Sequence, residues 1–162
     1  MLILLSFLVP MLAFQVQTDC PVKGMVAYSR ETTSGIPGPQ PRAIQTSYYL
    51  YVLVERGTQP SPDAGVWLQG KFYAATLRKV TPPVVIARDP AVSTGEMDTL
   101  VGETAADVFQ VELGEEKAWR PGDPEEKALT ERNEAVVFLK VGRAVCPCPA
   151  KEIKALRPAP GM

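Results

Sequence analysis

The chain has 162 residues, 46% of them hydrophobic, with 17 Lys plus Arg, 18 Asp plus Glu, no His and a formal net charge of −1. Its length suits one domain, and its charge excludes a dedicated nucleic-acid binder, which needs a basic surplus to displace phosphate counterions. The absence of imidazole excludes Ser-His-Asp and Cys-His nucleophiles and imidazole metal centres, and 16 prolines disfavour a helical bundle.

Residues 1–14 read MLILLSFLVPMLAF, an apolar run interrupted only by Ser6 and Pro10, and the first charged side chain is Asp19. A membrane span needs about 20 such residues, so the run is too short for one. It has the length of a signal-peptide core, with a cut near Gln15, although it lacks the customary Lys or Arg in front. The expectation is a signal peptide over residues 1–15 and a periplasmic or secreted mature chain, with membrane contact through the leader only. An uncleaved leader would instead make a membrane-anchored envelope protein.

Beyond Cys20 the pattern is one of short strands separated by Pro- and Gly-rich joints. Residues 25–29 suit a first strand, and Arg30 to Arg42, with its Pro-Gly-Pro run, reads as a loop. Ile44 to Arg56 alternates most clearly: Tyr48, Leu50, Val52 and Val54 share one face, and Tyr49 and Tyr51 lie on the other. Residues 57–65 (GTQPSPDAG) carry turn chemistry throughout. Val66 to Val80 reads as a hairpin turning at Gln69-Gly70-Lys71, where glycine supplies positive φ. Pro82-Pro83 precedes a short strand at Val84 to Ile86, residues 89–103 read as a polar loop, and Val108 to Leu113 as a half-buried strand.

Asp123-Pro124-Glu125-Glu126 is the one strong helix start: a capping aspartate, proline in the first turn and a glutamate at the third position. The helix is expected to reach Arg132 and to lie on the surface. Ala135 to Val145 reads as a final strand, followed by a frayed tail from residue 150 to 162. These elements predict an all-β fold, an immunoglobulin-like two-sheet sandwich or a small barrel with one short surface helix near 124–132, formed by a single domain over residues 22–149.

Three cysteines are disulfide candidates. In an oxidising compartment Cys20 can join Cys146 or Cys148, whereas a bond between Cys146 and Cys148 would strain a small ring around Pro147. A redox role for this Cys-Pro-Cys is the alternative reading, although a zinc site would need a second pair or a His.

No catalytic motif emerges, and Gly70-Lys71 is followed by Phe72 where a phosphate loop needs Ser or Thr. Neither an enzyme, a cofactor, a metal nor a small-molecule substrate is expected. The remaining recognition surface is aromatic. Tyr49, Tyr51, Trp67 and Tyr73 are the candidate strip for a protein or glycan partner in the cell envelope. Packing into the core is the stronger competing reading for all four. Trp119, in a charged segment, is expected to cover one open end of the sandwich. The function expected is therefore that of an exported, non-enzymatic β-module with a binding or structural role.

Overall fold

Among the described residues, period-two alternation cut by tight turns yields ten strands and one short helix. The computed structural model describes residues 20–33, 44–88, 95–119 and 122–158. The expected leader at 1–15, most of the expected loop before Arg42 and the end of the tail lie outside the described residues. The strands are β1 (Val22–Thr33), β2 (Ile44–Val54), β3 (Asp63–Leu68), β4 (Lys71–Val80) and β5 (Val84–Ala87). They continue with β6 (Met97–Val101), β7 (Asp107–Lys117), then helix α1 (Pro124–Arg132), β8 (Ala135–Val141), β9 (Ala144–Ala150) and β10 (Lys154–Ala155).

Eight strands form one sheet in the order β10-β1-β2-β7-β4-β3-β8-β9, and β5 pairs with β6 alone. All neighbours in the large sheet are antiparallel except β10, which runs parallel to β1. Laid flat at about 4.8 Å per strand, the two outermost strands would stand about 34 Å apart. Yet β9 ends at Ala150 and β10 begins at Lys154, and four residues reach at most about 14 Å. The sheet therefore curls into a half-barrel that brings β9 back towards β1.

The returning edge is fastened there. Cys20, just ahead of β1, is bonded to Cys146 of β9, with their Cα atoms 5.5 Å apart. The Cys148 thiol donates to the Gly24 carbonyl at 3.4 Å. Pro147 keeps the backbone extended, so Cys146 and Cys148 point to the same, inner side. The division into two sheets of an immunoglobulin-like sandwich is not found, because β2, β7, β4, β3 and β8 pair without a break.

The concave face holds the main core, to which every long strand of the sheet contributes, among them Ala27, Leu50, Val52, Val66, Ala75, Val111, Val137, Leu139 and Cys148. These are small or branched side chains, as the narrow space inside a tightly curled sheet requires. A second cluster lies on the convex face. There β5 and β6 cover Tyr51 and Val108 with Leu100 and Val101. This ribbon is held by Arg30, which donates to the Ala87 carbonyl at 2.8 Å and to Asp98 at 3.2 Å. Tyr28 adds a hydrogen bond to the Leu100 carbonyl at 2.9 Å.

Several expected boundaries move. Residues 30–33, expected in a loop, continue β1, and Asp63 to Gly65, expected in a turn, open β3. The polar stretch 89–103 contains β6, whose pairing with β5 outweighs its weak intrinsic pattern. The single strand expected over Ala135 to Val145 is a hairpin that turns at Gly142-Arg143, placing exposed Val145 on the convex side. The tail does not fray from 150: Lys154 and Ala155 pair with Tyr28 and Ser29, and the Leu156 amide donates to the Ser29 carbonyl at 2.8 Å.

Candidate functional site

The β3–β4 turn sets up the convex face of this half of the sheet. Gln69 and Gly70 take φ of 47° and 88°, the paired left-handed values of a two-residue hairpin turn. That register places Trp67 opposite Phe72 and Gly65 opposite Ala74, while Phe138 of β8 lies across Gly65 on the other side. Gly65 has no Cβ, and the Phe72 ring leans diagonally into the space left open. A Cβ built at residue 65 would stand 2.5 Å from Phe72 Cζ.

Trp119, just beyond β7, stacks on Phe72 with ring centroids 4.8 Å apart and planes 15° from parallel. It also meets Phe138 at 5.5 Å and Trp67 at 5.7 Å, both tilted. Trp119 thus packs against the flank of the sheet, not over an open end of a sandwich. Offset and tilted rings at these distances add attraction beyond area burial.

Helix α1 supplies the far wall. The Asp123 carboxylate accepts from the Glu126 amide at 2.8 Å, as a cap should. Glu126 in turn accepts from the Gly122 amide at 2.6 Å, one residue ahead of the cap. This fixed first turn holds Glu126 beside the aromatic rings. The result is a groove of about 380 Å³ over Gly65, walled by Phe72, Trp119 and Phe138 and edged by Asp63, Glu126, Lys140 and Val145. A narrower cleft of about 160 Å³ continues it between α1 and β9, bordered by Asp123, Glu125, Leu129 and Pro147. A mostly apolar concavity with a few polar groups at its rim is the usual form of a ligand site.

The aromatic strip expected from sequence is not one surface. Tyr51 is 2% exposed beneath the β5–β6 ribbon, and Tyr49 packs against the same cluster. Burial, with the neighbouring Tyr49 second, pushes the Tyr51 phenol above its ordinary range. Tyr73 lies opposite Val66 and packs against the concave core. Only Trp67 belongs to the convex aromatic cluster. Its partner Phe72 was legible as the residue facing it across a two-residue turn; Trp119, just beyond β7, and Phe138 of β8 are distant in sequence and carry no such local signal.

The cysteines offer little chemistry. Cys146 is joined to Cys20, and Cys148 is buried within the core. Loss of hydration pushes its thiol up to about 12, so it holds its proton at neutral pH and presents no thiolate nucleophile. Among the described residues, no group of three or more Cys, Asp or Glu side chains is placed to hold a metal ion.

Fold and site together define a disulfide-fastened β half-barrel with an aromatic groove on its convex face. The chain has no significant match to a family model, a curated protein or a solved structure.

Proposed function

We propose that this protein is an exported, non-enzymatic binding module that holds a partner in the convex groove. The observation that carries the reading is the groove itself: it is walled by Trp119, Phe138 and Phe72, whose ring rests on Gly65, with charged groups confined to the rim. Export is supported by the apolar start of the sequence and by the Cys20–Cys146 bond, which suits an oxidising compartment. The absence of His supports binding over acid-base catalysis. A role within an envelope assembly, with or without a retained leader as anchor, fits the same features.

Two measurements test the two halves separately. Mass spectrometry of the protein from its native host should find a mature N-terminus between Phe14 and Val22; an intact Met1 would remove the cleaved-export reading. Tryptophan emission tests the groove, since Trp67 and Trp119 line or back it. A panel of peptides and oligosaccharides should contain a ligand that shifts the emission of the native chain and not that of Val145→Arg, a change at an exposed rim position. A panel that shifts neither would remove the binding reading.

A further inference from the structure

We infer that the groove takes a proline-rich segment bearing an arginine or lysine, an inference that rests on the groove being the binding site. Three features of the convex face select this occupant. Phe72 and Trp119, backed by the buried Phe138, present aromatic surface of the kind on which proline rings pack. Val145, 54% exposed, and Pro147 extend that apolar surface onto β9.

The second feature is the backbone. β3, β4 and β8 are each paired on both sides. β9 carries Pro147 and Pro149, which have no N–H to offer. An extended peptide therefore finds no ladder to join beside the groove. A polyproline helix keeps its backbone solvated and requires none.

The third is charge. Asp63 and Glu126 edge the groove and Asp123 and Glu125 its continuation, against Lys140 as the one cation lining either among the described residues. That balance favours a cationic occupant, and an Arg or Lys beside Trp119 gains further from the ring face.

The test is a titration of the full chain, followed by tryptophan emission, with a synthetic peptide of alternating proline and alanine ending in one arginine. Comparators are the same peptide ending in glutamate, a glycine-serine peptide ending in arginine, and a chito-oligosaccharide. The arginine-proline peptide should saturate in the range of about 10–1,000 μM, with both altered peptides at least about tenfold weaker. Glu126→Gln, which keeps the oxygen that accepts from Gly122, should weaken the arginine-proline peptide severalfold, and Val145→Arg should abolish its binding with an unchanged circular dichroism spectrum. Equal binding of the glutamate or glycine-serine peptide would overturn the assignment. Binding of the saccharide alone would also overturn it while keeping the groove as a site. A response to none of the four would overturn it, and the wider panel above then decides whether the groove binds anything.

Discussion

The guanidinium of Arg30 on β1 meets the carboxylate of Asp98 on β6 at 3.2 Å, with only 6% and 18% of the two side chains exposed. Arg88 contacts the same aspartate at 3.0 Å, so the β5–β6 ribbon is tied to the convex face through one shared anion. A buried ion pair adds little net stability, but removing one partner strands the other charge.

Asp98→Ala is therefore expected to cost about 3–5 kcal/mol, whereas the double change Arg30→Met with Asp98→Val should cost less than the single one. Urea unfolding of both variants and the native chain checks the order. A double variant weaker than Asp98→Ala would contradict the buried-charge account.

The Cys20–Cys146 bond closes a separation of 126 residues, and its loss removes about 5 kcal/mol on the chain-entropy model. Reduction, or Cys20→Ser with Cys146→Ser, should lower the melting temperature substantially. Peptide mapping without reductant should recover a Cys20–Cys146 pair. Cys148, fully buried, should resist iodoacetamide in the native protein and react once the chain is unfolded in urea.

Gly65→Ala puts a methyl group 2.5 Å from Phe72 Cζ. Phe72 must then move away from Gly65 and disturb its stack on Trp119. A loss of about 1–3 kcal/mol is expected, together with altered near-UV circular dichroism. A variant with native stability and spectrum would show that Phe72 moves aside without consequence.

Asp107 receives hydrogen bonds from Lys79 and from the Gly57 amide, and these hold its carboxyl below the ordinary value of 3.8. Because the folded-state value is the lower one, the stabilisation is present above 3.8 and fades as pH falls through the folded value. Asp107→Asn should thus melt slightly below the native protein at neutral pH, and the gap should close in strong acid. A gap independent of pH would point to packing instead of charge.

Local sequence determined what depends on neighbours a few residues apart. The alternation of β2, the turn at Gln69-Gly70 and the Asp123 cap of α1 were all legible, because the interactions that set them span at most a few positions. Proline between Cys146 and Cys148 likewise announced two thiols on one side, either within reach of Cys20. The tertiary structure decided which face of each strand is covered and by what. Alternation separates Leu50 and Val52 from Tyr49 and Tyr51, but only the distant β5–β6 ribbon makes the tyrosine face a second core. The docking of β10 and the gathering of Trp119 and Phe138 around Gly65 are equally long-range, whereas the hairpin within residues 135–150 turns on a local signal at Gly142 that an unbroken apolar alternation hid. The reason is physical: a pleated strand has two faces with nearly the same pattern, and which becomes core, rim or groove depends on how far the sheet curls and what returns to cover it.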